Sequence, residues 1–230
     1  MKSIGKIDSM NFSSFNLEQI FDSENYIIEP VKSIGVFNPN RWSETFGKPL
    51  AKKVNGKWRT PFTEAKILHT SKGLALAIKR FNITPRRQTI EFAGLNGYNE
   101  KSKLLKELLS ELFNQFEDSF ITRIDIAIDF KGRVPNKVIK KLCKSRQPKQ
   151  YKNSIYYKTD KENRTNQKLD IKKYSKSLKD DLDQQIERLE FVFKGGYFYK
   201  LKIKDLCSAY KKMEKSIKRL SGLDVKIQPI

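Results

Sequence analysis

The sequence predicts an α+β fold, a central antiparallel β-sheet with flanking helices. Two strand patterns and one helix pattern carry that prediction. In ITRIDIAIDF (121–130), Ile124, Ile126 and Ile128 fall on one face and Arg123, Asp125, Ala127 and Asp129 on the other. IERLEFVF (186–193) repeats the pattern, with Leu189, Phe191 and Phe193 opposite Arg188 and Glu190. Between the earlier strand-like runs and the first of these lies KSKLLKELLSELFNQFED. There Leu104, Leu105, Leu108, Leu109, Leu112, Phe113 and Phe116 recur at helical spacing, a stripe suited to covering a sheet.

The elements follow in chain order. Periodicity is weak over the first thirty residues, with a short helix expected at NLEQIFDS and an extended piece around NYIIEPVKSIGVFN. The segment FNPNRWSETFGKPLAKKVNGKWRTPF is rich in Asn, Gly, Pro and Lys and reads as a loop, with Asn55-Gly56 a tight turn between two basic arms. Its Trp42 and Trp58 are read as anchors before base-stacking surfaces. GLALAIKRF and RQTIEFAGL form an antiparallel pair around NITPR. After the aspartate strand, Gly132 and Pro135 open a short basic helix, VPNKVIKKLCKS, ended near Pro148. KNSIYYKT and QKLDIKKYSK flank the polar turn DKENRTN, IERLEFVFKGG follows as a third strand, and DLCSAYKKMEKSIKRL closes as a basic amphipathic helix. No repeat or linker interrupts the chain, so one domain over 1–230 is expected.

Composition bounds the partner. The chain has 230 residues and a formal net charge of +21, from 47 Lys and Arg against 26 Asp and Glu. That balance calls for a polyanion. Between Lys131 and Lys179 there are 17 Lys or Arg against Asp160, Glu162 and Asp170, with Tyr151, Tyr156, Tyr157 and Tyr174 among them. The cations are spread over helical, extended and turn-like sequence, which favours a nucleic-acid groove over a membrane helix. Lys140, Lys141, Lys144, Arg146, Lys172 and Lys173 are the expected DNA contacts. No apolar run is long enough to cross a bilayer and no secretory signal is seen, so a cytoplasmic protein with no membrane partner is expected. Cys143 and Cys207 lack zinc-ligand spacing and read as packing residues of a reducing compartment.

If the two acidic strands are neighbours, Asp125, Asp129 and Glu190 converge on one polar face as oxygen ligands for Mg²⁺ or Mn²⁺. Tyr174 alternates away from Leu169, Ile171 and Lys173 and has cations on both sides, which would favour its phenolate. A tyrosine, a carboxylate-held metal and a basic groove are what transesterification of a DNA phosphodiester requires. The only histidine, His69, cannot form a His-hydrophobe-His metal pair and reads as structural.

RIDIAID, SIYY, IKKYSK and RLEFVFKG stand in the order found in the Rep_trans group of replication initiators, which the chain resembles over roughly 85–200. The resemblance leaves residues 1–84 uncovered, and residues 201–230 hold the C-terminal basic helix. It implies rolling-circle replication of a plasmid or phage: an origin strand is nicked by tyrosine attack, held by its 5′ phosphate, and later rejoined. By motif position it implies Tyr174 as nucleophile, Asp125 and Glu190 as metal ligands, Asp129 as ligand or support, and Lys176 and Arg188 at the scissile phosphate. Where the family commonly has an arginine two residues before the tyrosine and an acid just after it, this chain has Lys172 and Ser175, which keeps Tyr156 and Tyr157 as alternative nucleophiles. The DNA partner is a replication origin, as a single strand or hairpin, with room for a homodimer and a host helicase. Two other readings stand beside this one: a noncatalytic DNA- or RNA-binding module whose acids merely pair with nearby cations, and a relaxase of a mobile element.

Overall fold

The alternating strands pair as their patterns require. The computed structural model describes residues 2–22, 24–33, 36–37, 39–55, 57–159 and 169–229. The expected turn at 160–166 and Gly56 therefore lie outside the described residues, as do Lys161, Arg164 and Lys168 of the basic segment.

One large sheet organises the chain. Its strands are β1 (Lys2–Ser14), β2 (Tyr26–Ser33), β3 (Val36–Phe37), β6 (Phe62–Thr70), β7 (Ala75–Phe81), β8 (Gln88–Ala93), β9 (Phe120–Lys131), β10 (Gln147–Tyr151), β11 (Ser154–Lys158), β12 (Leu169–Ser175), β13 (Ile186–Lys194) and β14 (Asp224–Gln228). They run in the order β10-β11-β12-β13-β9-β1-β8-β7-β6-β2-β3, with β14 also on β1. All neighbours are antiparallel except β1 and β14. A separate ribbon, β4 (Lys52–Val54) with β5 (Lys57–Arg59), carries the two basic arms, and Asn55 at its turn has a φ of 51°.

The helices α2 (Glu100–Leu112), α3 (Asn136–Cys143) and α5 (Leu206–Ser221) cover one face, and a short α4 (Lys176–Asp180) follows β12. Leu105, Leu108 and Leu109 of α2, Val138 and Leu142 of α3, and Met213 and Ile217 of α5 join Ile124, Ile126, Ile128, Leu189, Phe191 and Phe193 in the main core. The predicted apolar stripe of α2 is thus the surface that packs on the sheet, and Asn99 caps the helix through the Ser102 amide. The buried side of α5 likewise packs inward.

The opposite face is apolar over its β2–β6–β7 half. There a second core joins Val31, Trp42, Leu50, Ala65, Ile67 and Ala77. Trp42 belongs to α1 (Pro39–Phe46), a helix where the sequence reads as loop, and is 2% exposed against Phe46. It is therefore an anchor and offers no stacking surface. The rest of that face, over β1, β9, β13 and β12, is polar.

Three expectations are corrected. Cys143 and Cys207 are exposed and do not pack. The weakly periodic start of the chain is in fact β1, at the centre of the sheet, where Asp8, Ser9 and Met10 are all buried in succession. Burial on both faces, with a register shift between Ile7 and Ser9, erases the alternation that reveals a strand. β14 was also unforeseen.

Candidate functional site

The register of the sheet assembles the site. Glu190 lies opposite Ala127 on β9 and Lys172 on β12; Arg188 lies opposite Asp129 and Tyr174. With a period of two, Asp125, Asp129, Arg188, Glu190, Lys172 and Tyr174 all share the polar face opposite the helices, where all but Asp129 and Lys172 are buried. The adjacency of the two acidic strands is thus part of the fold, and each acid acquires a cation at once.

Asp125 is 1% exposed and receives Arg123 through both oxygens, at 2.7 and 2.5 Å. Burial and the like charge of Glu190 raise its pKa to about 6, against the opposing pull of Arg123. Glu190, also 1% exposed, faces two ways: one oxygen meets the Lys172 ammonium at 2.6 Å and the other accepts the Tyr174 hydroxyl at 3.1 Å. Asp129 stands apart from that pair. It accepts Arg188 at 2.6 and 2.7 Å and the Tyr98 hydroxyl at 2.9 Å, and despite partial burial these contacts hold its pKa low.

Tyr174 is nearly buried. Burial first, then the Glu190 charge, raise its pKa, so the phenolate expected from flanking cations is not the resting form. Lys172 and Lys179 nevertheless sit over its ring, at 5.4 and 5.5 Å.

The other expected phosphate contacts are committed elsewhere. Arg188, fully buried, bonds Asp8 at 2.8 Å, both oxygens of Asp129, and the Asn96 carbonyl at 2.8 Å. Burial disfavours its charge, but hydrogen bonding to Asp129 and the Asp8 charge outweigh this and raise its pKa. Lys176 is 2% exposed in a 2.7 Å pair with Asp180, and burial lowers its pKa.

Among the expected DNA contacts, Lys140, Lys141 and Lys144 are exposed around α3. Arg146 is not: it is buried and donates to the carbonyls of Tyr157 and Leu169, at 3.1 and 3.2 Å. Lys173 faces away from Lys172, on the helix-covered side, 2.9 Å from Glu187. The alternative nucleophiles divide likewise. Tyr156 pairs with Lys172 in register and shares the polar face, whereas Tyr157 pairs with Ile171, is 2% exposed in the core, and has its pKa raised to about 12 by burial. His69 lies 3.0 Å from a Glu29 carboxylate oxygen.

Asp8, Tyr98 and Lys179 belong to this network and were missed. Asp8 sits beside the β1 register shift, and its carbonyl accepts the amides of Gly94 and Leu95 while its side chain accepts that of Asn96. The only cue was the local likeness of KIDSM to RIDIAID.

The donor set can be tested for a metal. Among the described residues no three His, Cys, Asp or Glu side chains are grouped to hold an ion. Asp125 and Glu190 do form a pair of buried oxygen donors whose charges oppose one another. One or two carboxylates suffice for Mg²⁺, which keeps waters and takes substrate phosphate oxygens. The oxygens of the pair are taken by Arg123, Lys172 and the Tyr174 hydroxyl, so an ion there would displace a cation, and Asp129 is likewise held by Arg188 and Tyr98.

No protein-family model matches the chain, and no curated protein sequence does. A solved structure does. The chain is similar in fold to the rolling circle replication initiator protein from Geobacillus stearothermophilus, with a TM-score of 0.52 and 14% identity over 95% of this chain and 85% of that one. The antiparallel sheet with flanking helices is therefore the architecture of a solved initiator.

Proposed function

We propose that the chain is a Rep_trans-type initiator of rolling-circle replication, which nicks and rejoins one strand of a plasmid or phage origin. One observation carries the reading: the Tyr174 hydroxyl rests on Glu190, beside Asp125, on the polar face of the sheet in a chain with net charge +21. The fold of the solved initiator supports it.

In this reading Tyr174 Oη attacks phosphorus as its proton passes to Glu190 Oε2. The bond from phosphorus to the 3′ oxygen breaks, that oxygen leaves as a 3′ hydroxyl on taking a proton, and the 5′ phosphate stays on Tyr174. Rejoining is the reverse. Mg²⁺ or Mn²⁺ held by Asp125 and Glu190 would polarise the phosphate and neutralise its charge. Because burial keeps Tyr174 protonated in the free chain, a general base in contact is needed, and Glu190 is that base. Arg188 is the cation beside the reacting oxygen, opposing the rise in the Tyr174 pKa, with Lys172 and Lys179 over the ring, while Lys176 is taken by Asp180. Arg188 positions Asp129.

The test uses negatively supercoiled DNA bearing the replicon's own origin, with Mg²⁺ or Mn²⁺ and with chelator. Metal-dependent nicking with a covalent 5′ adduct is expected, abolished in Tyr174→Phe and lowered at least a hundredfold in Asp125→Ala. A second reading has its own support: each carboxylate is already paired with a cation, as a noncatalytic binding module would have it. Binding without a nick or adduct, unchanged by either substitution, would establish that module.

A further inference from the structure

Tyr98 reaches the polar face from the loop between β8 and α2, and its hydroxyl is held as that of Tyr174 is. Tyr174 Oη donates to Glu190 Oε2 at 3.1 Å while Lys172 holds Oε1 at 2.6 Å; Tyr98 Oη donates to Asp129 Oδ2 at 2.9 Å while Arg188 Nε holds Oδ1 at 2.6 Å. Arg188 joins the two pairs, since it lies in register with both Asp129 and Tyr174. In exposure they differ: Tyr174 is 8% exposed and Tyr98 47%.

The loop is fastened to the site on both sides of the tyrosine. The Asn96 amide donates to Asp8 Oδ1 at 3.2 Å, the Asn96 carbonyl accepts Arg188 at 2.8 Å, and the Tyr98 amide donates at 3.0 Å to Asp180 Oδ2, at the end of the helix α4 that follows Tyr174. Between them Gly97 packs so near Ser102 that a Cβ would collide with its side chain. Tyr98 is thus held in place with its ring half open. It opens into a cleft of about 730 Å³, which Tyr98 and Asp129 line together with Lys2, Lys6, Lys131 and Arg133. Tyr174 does not line that cleft, so a phosphodiester lodged there meets the Tyr98 hydroxyl instead, with a carboxylate to take its proton and cations to neutralise the phosphate.

While its oxygen carries a 5′ phosphate, Tyr174 can only return that phosphate. Cutting another strand in that state takes another oxygen. We propose that Tyr98 is a second nucleophile, which cuts a second DNA strand while Tyr174 holds the first. The inference rests on the nicking reading of Tyr174. In the step, Tyr98 Oη bonds to phosphorus, its proton passes to Asp129 Oδ2, and the bond from phosphorus to the 3′ oxygen breaks, that oxygen leaving with the proton. The new 3′ hydroxyl then attacks the phosphorus on Tyr174, whose oxygen leaves and recovers a proton, so that ends from two cuts are joined. Arg188 sets the order. In the free chain it holds both oxygens of Asp129; a phosphodiester on Tyr174 sets a negative charge beside Arg188 and weakens that hold, which frees Asp129 to take the Tyr98 proton. Loss of Tyr174 therefore silences both tyrosines.

In the experiment the native chain is loaded, in Mg²⁺, with an oligodeoxynucleotide carrying the nick site of the replicon's own origin. The short 3′ hydroxyl fragment is washed away and the loaded chain is separated from the free one. An isotopically labelled copy of the oligodeoxynucleotide is then added, and mass spectrometry locates each phosphotyrosine. The first phosphate is expected on Tyr174 and the labelled one on Tyr98, with a joined strand released. In Tyr98→Phe the labelled adduct per loaded chain should fall about a thousandfold or more, as loss of a nucleophile demands. Tyr199→Phe, which changes a 77% exposed tyrosine outside the site, should leave it unchanged. A first adduct with no labelled one, or a labelled phosphate on other tyrosines and none on Tyr98, would overturn the second nucleophile and leave nicking by Tyr174 standing. No first adduct in the native chain would remove the nicking reading and this one together.

Discussion

At the scale of single residues, Asp125 has an unusual relation to pH. Its pKa in the fold, about 6, stands above the ordinary aspartate value of 3.8, because burial and Glu190 disfavour its charge. The folded chain therefore binds a proton more tightly than the unfolded one between those values, and stability rises as pH falls from 7 toward 4. The effect is of order 1–3 kcal/mol. The depressed carboxylates, Glu91 at about 2 beside Lys79 and Lys48 among them, act in the opposite sense but only nearer pH 4 and below. The urea midpoint should accordingly be higher at pH 5.5 than at 7.5 in the native chain, and this difference should vanish in Asp125→Asn. An unchanged difference would place its origin in another group. Alternation alone placed Asp125, Glu190 and Tyr174 on one face of the sheet, as the register has them. It misjudged Arg146 and Lys173, since whether a cation at the rim of a sheet turns to solvent or back to a carbonyl or acid depends on the neighbouring strand. For Tyr156 and Tyr157, adjacency guaranteed that one would face each side, and only pairing with β12 determined which.

At the scale of elements, β9, β13, α2 and α5 were legible because each has one apolar and one polar side. β1 was not, for the opposite reason. It pairs with β14 over Lys2–Lys6, with β9 from Lys6 to Ser13 and with β8 from Ser9 to Ser14, so its neighbours supply the environment that its own pattern conceals. Gly5 marks how tightly it is held. A Cβ there would stand 2.8 Å from Val225 Cγ1 and 2.9 Å from Ile126 Cγ2, closer than side-chain carbons approach one another. Gly5→Val should cost about 1–3 kcal/mol by overpacking, read as a lower urea midpoint with unchanged slope. A midpoint equal to that of the native chain would mean that β14 can shift away from β1 without loss.

At the scale of the whole molecule, charge and sheet divide the labour. The sheet gives the acids and the tyrosine a fixed mutual geometry, while the excess of cations supplies attraction that is indifferent to sequence. If six phosphates are neutralised, affinity for nonspecific duplex DNA should fall about a thousandfold between 50 and 200 mM salt, as followed by filter binding or anisotropy. A flat salt response would exclude a polyanion as the natural ligand of this surface. Composition foretold this much; the network around Arg188 it could not foretell, because Asp8, Asn96 and Asp129 come from three separate segments.

The pairing of β1 with β14 brings together residues more than two hundred positions apart, Lys2 with Asp224 and Lys6 with Gln228. Such a contact is among the slowest a chain can make, since the whole intervening length must be ordered or looped out first. Lys2, Lys6 and Lys226 then come together only when the two ends of the described chain have paired. A product clipped before β14 keeps most of its cations but leaves Lys2–Gly5 of β1 without their partner strand, so the last strand of the described chain completes the first.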